Sequence, residues 1–500
     1  MKTSAGLARR LPEGARLHDG SRTWTPSEVA VEVESLANRL RERGVRVLAS
    51  LADNSPAWVV IDLAATCAGV VHVPLPLFFT AEQLHHALRA AGVDTLFCSG
   101  AAAERWPDAP CETLHVAGHA FAQVRLPFAA APMPVGTSKV TFTSGTTGAP
   151  KGVCLGAPAM VAVADGLVQA LEPLGIQRHL CALPFAVLLE NIAGMMAPLT
   201  AGATCVVLPL SQVGLNGSSG FDAARFDAVV DHVQPNSVIL LPQMLRAWVA
   251  YLATSGRRVP SSLRMVAVGG AAVGAKLIQA AHSIGLPAFE GYGLSEGASV
   301  QALNLPGHAR PGSAGRALPH SRIRIAADGE VEIGGSLFLG YLGEDGAPPA
   351  WWPTGDLGAI DADGYLHLHG RKKLVLITAF GRNVSPEWVE TALRDEPVIL
   401  QAVVFGDGEP ALSAVLWPTR DSASHAQLQA AVDAANAALP DYARIAHWTL
   451  AEAPFSVESG MATPNGRPQR STILRTHAQR LQPVMRPVAP SPLSIAQGRS

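Results

Sequence analysis

The sequence has little charge and no long basic run. Only 16% of its 500 residues are Asp, Glu, Lys or Arg, and the formal net charge is −2. The 48% share of hydrophobic residues is enough for a large core and too high for a disordered chain. Basic residues are scattered, without a run in which they alternate with aromatic residues. Nucleic acid is therefore not an expected partner.

Paired cysteines are also missing. No two of the six cysteines form a C-x-x-C pair, and none stands at the usual metal-ligand spacing from a histidine. They are Cys67, Cys98, Cys111, Cys154, Cys181 and Cys205. Isolated cysteines usually behave as small buried hydrophobic residues, which fits a reducing compartment. The start, MKTSAGLARRLPEG, lacks the apolar segment of a signal peptide, so we expect a cytoplasmic protein.

One apolar run is long enough to cross a membrane. It covers residues 57–79, AWVVIDLAATCAGVVHVPLPLFF, and contains Asp62, His72 and two prolines. These residues favour a buried helix followed by a core strand. No transmembrane segment is expected.

Most of the chain alternates short β-rich runs with helical patterns. TWTPSEVAVEVESLANRLRERGV has the start of a helix, with Thr25 as N-cap, Pro26 at the first position and Glu28 as capping-box partner. HHALRAAGVDTLFCSG and LRMVAVGGAAVGAKLIQAAHSIGLPAFEGYG continue the alternation. The pattern predicts an α/β chain with mostly parallel sheets flanked by helices.

The pattern changes between residues 310 and 370. Short alternating strands are joined there by two Asp-Gly turns, at 328–329 and 363–364. Such turns are typical of antiparallel hairpins. A small antiparallel β-rich subdomain is therefore predicted at the end of the large domain.

The basic tetrad GRKK, residues 370–373, marks the predicted domain boundary. We predict a large N-terminal domain at 1–370 and a small α+β C-terminal domain at 371–476, because a compact βαβ-like pattern follows the tetrad. Residues 477–500 include a stretch rich in Pro and Ser, and we expect a disordered tail there.

A glycine-rich and hydroxyl-rich loop is the strongest functional signal. The stretch TFTSGTTGAPKGV at 141–153 offers backbone amides, hydroxyls and a lysine, which together suit phosphate oxygens. It is neither a Walker A loop nor a dinucleotide fingerprint. A surface turn rich in Gly and Thr is the alternative. The residues predicted to hold phosphate are Thr143, Ser144, Gly145, Thr146, Thr147, Gly148 and Lys151.

This loop resembles the signature of the adenylate-forming superfamily, which includes acyl-CoA synthetases, peptide-synthetase adenylation domains and luciferases. Further motifs that are similar to those of the superfamily follow in the same order. They are GYGLSE at 291–296, PTGDLG at 353–358, GRKKLVLITAFGRNVSPEWVE at 370–390 and TPNGRPQR at 463–470. The resemblance extends from about residue 20 to 476.

The resemblance implies an acid–thiol ligase with a two-step reaction. A carboxylate attacks the α-phosphorus of ATP, which gives an acyl-adenylate and pyrophosphate. A thiol then attacks the activated carbonyl and releases AMP. Mg²⁺ and CoA are the further expected cofactors. The segment at 370–390 resembles the hinge of the superfamily and the loop after it, and the small domain is expected to rotate about this hinge between the two steps.

Chemistry supports a role for each motif. Tyr292 offers a flat face for adenine, and Asp356 can accept hydrogen bonds from the ribose, with Arg371 as an added donor. Glu296 and Thr143 are the predicted Mg²⁺ ligands. Structural roles for Tyr292 and Asp356, and simple solvation of the Lys151 side chain, are the alternatives. The predicted catalytic residues are Arg467, Glu296, Thr147 and Lys151, and Gly291, Gly293 and Ser295 complete the predicted nucleotide site.

Two positions depart from the superfamily pattern. Leu374 follows GRKK where Asp or Lys is usual, and Arg467 stands where the superfamily has its catalytic lysine. These departures raise an alternative, a nucleotide- or acyl-binding protein with impaired catalysis. Because Arg467 keeps the positive charge, we expect a working enzyme. Arg470 is the rival cation in this loop.

The acid is expected to be a medium- or long-chain fatty acid. LPFAVLLENIAGM at 183–195 resembles the LPLAH-x-x-E pattern of long-chain acyl-CoA synthetases and includes Glu190, although Val187 replaces the histidine. An aryl or hydroxyaryl acid is the alternative. No carrier-domain serine motif is fused to the chain, so CoA or an external acyl carrier protein is the expected acceptor.

Overall fold

The computed structural model describes residues 11–143, 150–217, 220–380, 382–420, 422–463 and 466–481. The chain divides into two compact units. The large unit runs to Val375 and also includes the segment Ala462–Arg467, and the small unit begins at Leu376. The division lies five residues from the boundary predicted after residue 370. The segment Ala462–Arg467, predicted to belong to the small domain, instead groups with the large unit.

Helices of the large unit begin at the caps that the sequence supplies. Thr25 accepts a hydrogen bond from the Glu28 N–H, and the Glu28 carboxylate accepts one from the Thr25 N–H, so the predicted capping box is present. Ser55 and Thr80 cap the next two helices. The α-helices are Pro26–Glu42, Pro56–Ala68, Ala81–Ala90, Gly100–Ala103, Ala157–Leu171, Ala197–Thr200, Ala223–Val233, Pro242–Ser255 and Ala275–Ser283; the 3-10 turns are Glu172–Leu174, Ser295–Gly297 and Lys372–Leu374; and Glu190–Met196 is a π-helix.

Nine strands form the first sheet within the described residues, and five of its eight neighbouring pairs are parallel. In spatial order the strands are Arg316–Ala317, Ser299–Leu303, Ala288–Leu294, Met265–Val268, Ser237–Leu240, Arg178–Cys181, Thr204–Val207, Arg16–His18 and Thr23–Trp24. The strand Ala288–Leu294 ends just before Glu296, so the carboxyl edge of this sheet carries part of the candidate site.

The second sheet is mixed. Of the seven neighbouring pairs found in the described residues, three are parallel and four antiparallel. In spatial order its strands are Gly340–Tyr341, Lys151–Gly156, Thr137–Thr143, Val71–Pro74, Val47–Leu51, Thr95–Cys98, His119–Arg125 and Cys111–Val116. The antiparallel hairpin Thr137–Thr143 and Lys151–Gly156 carries the glycine-rich loop.

The predicted antiparallel subdomain is a four-stranded sheet of Ser321–Ile325, Glu330–Gly335, Trp352–Ile360 and Leu366–Arg371. Both Asp-Gly turns join its strands as predicted, and Gly329 and Gly364 each have a φ of +83°. Glycine adopts this left-handed conformation without strain, which explains its place in both turns. A short pair, Leu215–Asn216 and Gly220–Phe221, lies apart from these sheets.

The small unit has an α+β arrangement, as predicted. Its main sheet is Ile399–Phe405, Leu412–Pro418 and Ile445–Leu450, and a short pair is formed by Leu376–Ile377 and Asn383–Val384. The helices are Pro386–Arg394, His425–Ala437 and Arg470–Leu481, with the 3-10 turn Asp441–Ala443. The last helix extends five residues past the predicted end at 476 and buries Ile473, His477 and Leu481. The rest of the predicted tail lies outside the described residues.

The apolar run at 57–79 is a buried helix, Pro56–Ala68, followed by the strand Val71–Pro74, as predicted. Its Asp and His are partners: Nδ1 of His72 lies 2.6 Å from Oδ1 of Asp62. In the described part of the chain, no helix combines the length and apolarity that a membrane crossing needs.

Lys139 completes this buried polar cluster. Its Nζ lies 2.9 Å from Oδ1 of Asp62, and both side chains are almost fully buried. Burial alone would raise the pKa of Asp62, but Lys139 and His72 outweigh it and hold that pKa well below its usual range. The charged residue in the apolar run is therefore a paired core residue.

Candidate active site

A buried aspartate is the centre of the predicted ribose contact. The hydroxyl of Tyr292 donates a hydrogen bond of 2.6 Å to Oδ2 of Asp356, and Nε of Arg371 lies 2.9 Å from Oδ1. Burial, and then the Asp356 carboxylate, raise the pKa of Tyr292 well above its usual range. The phenol therefore stays protonated and continues to donate.

Strand pairing brings these residues together. Asp356 and Arg371 are opposite each other in neighbouring antiparallel strands. Tyr292 comes from another sheet and is only 9% exposed. The role of Tyr292 that this structure displays is to hold Asp356, and its contact with adenine stays a prediction.

The glycines beside Tyr292 have a steric explanation. A Cβ at Gly293 would lie 2.2 Å from the carbonyl oxygen of Ser299, and one at Gly291 would lie 2.9 Å from the side chain of Leu303. The strand pairing also shifts by a bulge between Tyr292 and Gly293. Both glycines therefore allow two strands to approach closely, and this packing is the role that the structure gives them.

Two residues that the sequence analysis missed support the turn before Asp356. Gly355, at φ +75°, donates its N–H to Oε1 of Glu330 over 2.8 Å. Nζ of Lys372 lies 2.7 Å from Oε2 of Glu330 and 2.6 Å from Asp328. The available signal was the GRKK tetrad, which we interpreted as a domain boundary and as the source of Arg371, without a role for Lys372. Lys372 thus links the tetrad to the turn that carries Asp356.

Glu296 and Tyr341 form the second part of the candidate site. Glu296 is half-buried in the turn Ser295–Gly297, and Oε1 accepts a hydrogen bond of 2.7 Å from the Tyr341 hydroxyl. Burial, and then Glu296, raise the pKa of Tyr341. Among the described residues, hydrogen bonds to this carboxylate reach Oε1 alone, which leaves Oε2 for a cation. Carboxylate oxygen is the donor that Mg²⁺ prefers, so Glu296 fits a magnesium ligand.

The backbone just after Glu296 is strained. Ala298 has a φ of +57° and Ser299 a φ of +117°, values that residues with a side chain rarely adopt. Such positions cost roughly 1–3 kcal/mol each and persist where the surrounding structure fixes them. The strain accompanies the sharp turn on which Glu296 lies.

Lys151 lies at the edge of this part of the site. Its side chain is 51% exposed, and its Nζ lies 3.3 Å from Glu344 and 4.8 Å from the ring centre of Tyr341. Lys151 is paired with Thr143 across the hairpin, so these two residues are the ends of the glycine-rich loop. The other predicted loop residues, Ser144, Gly145, Thr146, Thr147 and Gly148, lie outside the described residues.

Arg467 closes a turn at the end of the segment Ala462–Arg467. Its N–H donates to Oγ1 of Thr463 over 3.1 Å, and its carbonyl accepts from the Thr463 N–H over 2.8 Å. The structure therefore fixes the backbone of Arg467. The catalytic role of its side chain stays a prediction.

The rival cation, Arg470, is engaged within the small unit. Its Nη2 lies 2.6 Å from Oε1 and 2.8 Å from Oε2 of the buried Glu390, and Nη1 donates to the Val404 carbonyl. Burial raises the pKa of Glu390, and Arg470 opposes that rise. Arg470 therefore balances a buried acid, which makes it a structural residue.

The predicted acyl-side segment places its glutamate in the interior. Glu190 begins the π-helix Glu190–Met196 and is 0% exposed, whereas Val187, just before that helix, is half-buried. Burial raises the pKa of Glu190, and His179 opposes that rise in part. Glu190 is therefore a core residue.

The two carboxylates of the site suit different ligands. Asp356 is buried and fixed by two donors, so its oxygens can accept further hydrogen bonds from neutral hydroxyls. Glu296 is half-buried and keeps one oxygen for a cation, next to a loop end that carries Thr143 and Lys151. Together these groups suit a ligand with both hydroxyls and a metal-bound polyphosphate.

Comparison with known proteins agrees with this chemistry. Residues 6–342 match the AMP-binding enzyme family, and residues 373–486 match the C-terminal domain of AMP-binding enzymes. The chain belongs to the AMP-binding enzyme family. The predicted family and the predicted class of acid–thiol ligase are thereby confirmed.

Individual relatives match three quarters or more of the chain. A long-chain-fatty-acid–CoA ligase of Mycobacterium bovis is 28% identical, over 94% of this chain and 93% of its own. An indoleacetate–CoA ligase of Aromatoleum aromaticum is 29% identical, over 76% of this chain and 79% of its own. The O-succinylbenzoate coenzyme A synthetase of Bacillus subtilis, solved with ATP and a magnesium ion, has a TM-score of 0.74 at 21% identity and covers 94% of this chain and 99% of its own. This last likeness confirms the fold.

Proposed function

We propose that this chain activates a medium- or long-chain fatty acid with ATP and then transfers the acyl group to the thiol of CoA. The observation that carries the proposal is the pair of carboxylates, one fixed by Tyr292 and Arg371 and one open to a cation. A nucleotide triphosphate requires both kinds of contact. The family membership gives the reaction class in which they are used.

Asp356 serves as the ribose contact in this proposal. Tyr292 and Arg371 hold its two oxygens in place before the nucleotide arrives, so little ordering is needed when it binds. Glu330 fixes the same turn by accepting a hydrogen bond from the Gly355 N–H, and Lys372 forms an ion pair with Glu330. This preformed contact orients the nucleotide so that its α-phosphate faces the acid.

Glu296 and Thr143 would hold Mg²⁺, and Lys151 would add positive charge near the phosphates. When bound, the metal supplies charge that stabilises the phosphate oxygens as pyrophosphate departs. Tyr341 fixes one oxygen of Glu296 and so orients the other. The loop residues Ser144, Gly145, Thr146, Thr147 and Gly148 are proposed phosphate contacts.

Arg467 is the proposed cation for the acid carboxylate and the bridging oxygen. Its planar fork suits carboxylate and phosphate and keeps its charge at any physiological pH. Arg470 is not proposed for this role, because its guanidinium is paired with Glu390. The proposed movement of the small domain between the two steps would bring a different surface to the site for the thiol.

A fatty acid is favoured because the long-chain relative matches nearly the full length of the chain. Val187, in place of a histidine, adds an apolar side chain to the segment that resembles the long-chain pattern. The indoleacetate relative supports an aryl acid as the second candidate, over a smaller share of the chain. CoA is the favoured acceptor, and an external carrier protein is the alternative.

Pyrophosphate exchange into ATP tests the proposal with a panel of acids. Exchange should rise with the length of a saturated acid before it levels off, because each buried methylene contributes about 0.8 kcal/mol. Acetate and amino acids should support little exchange. A hydroxybenzoate or indoleacetate that exceeds every aliphatic acid would establish the aryl alternative. Absence of exchange with all acids would favour the binding-protein hypothesis.

A second assay identifies the acceptor. The acyl-adenylate formed with the best acid is offered CoA or a phosphopantetheine-loaded carrier protein at equal thiol concentration. Faster thioester formation with CoA is expected. Faster acylation of the carrier protein would replace CoA in the proposal.

A further inference from the structure

A second polar cluster is buried where the nine-stranded sheet meets the π-helix Glu190–Met196. His179 and Cys181 lie in the strand Arg178–Cys181, and Glu190 begins the π-helix Glu190–Met196. The three side chains are at most 2% exposed. One ligand atom from each, the imidazole nitrogen, the sulfur and a carboxylate oxygen, lies within 4.8 Å of the others.

Three polar atoms of this cluster lack hydrogen-bond partners in the part of the chain that the structure describes. Within the described residues, Nε2 of His179 and both carboxylate oxygens of Glu190 have no hydrogen bond. Burial raises the pKa of Glu190; His179 and the amides of Ala182 and Leu183 oppose that rise, but they do not reach hydrogen-bond geometry. Unsatisfied buried groups are costly, so three such atoms facing one another require an explanation.

The histidine is oriented toward the cluster. Its Nδ1 shares a hydrogen bond of 2.8 Å with Oγ of Ser237, and its Nε2 lies 3.5 Å from Oε1 of Glu190. A metal-binding histidine usually has its other ring nitrogen held in this way. The arrangement therefore presents Nε2 as a ligand.

The backbone also makes room for the carboxylate. A Cβ at Gly194 would lie 2.5 Å from Oε1 of Glu190, so a larger residue there would displace the acid. The thiols of Cys181 and of Cys205, on the neighbouring strand, each donate a weak hydrogen bond to the Gly194 carbonyl oxygen, over 3.5 Å and 3.8 Å. Single π-turns of this kind are frequent at functional sites.

We propose that His179, Cys181 and Glu190 bind one Zn²⁺ ion, with a water in the fourth position. Nitrogen, sulfur and oxygen at one point suit zinc, whereas Mg²⁺ prefers oxygen alone. Tetrahedral zinc needs ligand atoms about 3.3–3.8 Å apart, so the cluster closes by roughly 1 Å on binding. This site is independent of the Mg²⁺ proposed at Glu296.

The charges balance in this assignment. In the metal-bound state the thiolate of Cys181 and the carboxylate of Glu190 neutralise the divalent ion, and the thiol proton of Cys181 is released. Neutral His179 adds no charge. A site without net charge is the kind that an apolar interior can hold. The ion would connect the strand Arg178–Cys181 to the π-helix and fix the segment that precedes it.

Metal analysis of the full chain tests the site. The protein is produced with Zn²⁺ or Co²⁺ in the medium, because the closed cluster is expected to take up metal as it folds, and is then dialysed. One equivalent of metal per chain is expected, and the cobalt form should show sulfur-to-cobalt charge-transfer absorption. Cys181→Ser should abolish that absorption. Glu190→Gln should weaken metal retention against a chelator by at least about 10- to 100-fold.

Cys98→Ser is the matched control, because Cys98 is equally buried but lies in the other sheet. It should retain the metal and the cobalt spectrum. A parent chain that is folded by circular dichroism and holds no stoichiometric metal would overturn the proposal, and so would a cobalt–sulfur band that survives Cys181→Ser. Pyrophosphate exchange of the same metal-free parent tests the proposed function separately, so the two can fail independently.

Discussion

The two carboxylates of the candidate site are held in opposite ways. Asp356 is buried, and both its oxygens have partners, Arg371 on the neighbouring strand and Tyr292 from another sheet. Glu296 is half-buried in a short turn, with one oxygen held by Tyr341 and a strained backbone after it. The contacts that orient Asp356 are all formed before any ligand binds. The contacts of Glu296 are completed only when a cation binds beside the glycine-rich loop.

This difference predicts different kinetic roles. A preformed contact such as Asp356 acts equally on the bound substrate and on the transition state, so its loss should raise KM. A charge that organises a metal near departing pyrophosphate acts mainly where charge develops, so the loss of Glu296 should lower kcat. Each prediction below separates the two carboxylates by this criterion.

Glu296→Gln is expected to have the largest effect. The amide keeps the size of the side chain but removes the charge that should hold Mg²⁺. Pyrophosphate exchange at saturating ATP should fall by about 10²- to 10³-fold, and added Mg²⁺ should restore part of it. Glu344→Gln is the control, since Glu344 is also acidic but is 57% exposed and paired with Lys151. Normal turnover of Glu296→Gln would remove Glu296 from the metal site.

Arg467→Ala comes next. Loss of one cation near the reacting oxygens should lower pyrophosphate exchange by about 10²-fold. Conversion of a supplied acyl-adenylate to thioester should change little, and Arg467→Lys should retain activity. Equal loss in both steps would argue against a role specific to adenylation.

The control for Arg467 follows from the structure. Arg470→Ala would leave the buried Glu390 without its partner and should destabilise the small unit, so it does not isolate catalysis. Arg475→Ala is preferable, because Arg475 is exposed and its described contact is with Thr472 in the same helix. It should exchange pyrophosphate at the parent rate.

Asp356→Ala is expected to raise the KM for ATP by about 10- to 100-fold. This factor corresponds to the binding free energy that is lost when hydrogen bonds to a charged group are removed. The change in kcat at saturating ATP should be smaller than that for Glu296→Gln. Initial rates over a range of ATP concentrations separate the two quantities. An unchanged KM would move the ribose contact to another residue.

Local sequence patterns predicted much of this structure. The capping box at Thr25, the helix and strand of residues 57–79 and the two Asp-Gly hairpins all depend on neighbours close in sequence. The same holds for the pair Asp356 and Arg371, which two adjacent strands place opposite each other. The motif residues could therefore be identified from the sequence, but their arrangement in space could not.

Contacts between distant segments were not predictable in this way. Tyr341 reaches Glu296 across 45 residues, and Arg470 reaches Glu390 across 80, so the spacing gave no signal for either. The cluster of His179, Cys181 and Glu190 was not predicted either. Its residues are closer in sequence, but their spacing matches no metal motif, and only the folding of a strand against a π-helix brings the ligands together. Only the fold determines which isolated polar residues meet.

Two phenol deletions give the smallest and most direct comparison. Tyr292→Phe and Tyr341→Phe each remove one hydroxyl that donates to a site carboxylate, over 2.6 Å and 2.7 Å. A hydrogen bond to a charged group is worth about 1.5–3 kcal/mol, and because each variant keeps its carboxylate we expect the lower end, a change of about 10-fold. Tyr292→Phe should raise the KM for ATP and leave kcat nearly unchanged, because Asp356 keeps Arg371 as a partner. Tyr341→Phe should instead lower kcat and raise the Mg²⁺ concentration needed for half-maximal exchange, because Glu296 loses the donor that orients it.

Because the two substitutions are chemically identical, any difference between them comes from the carboxylate that each phenol holds. If both variants change KM alone, or both change kcat alone, the proposed division of roles between Asp356 and Glu296 is wrong.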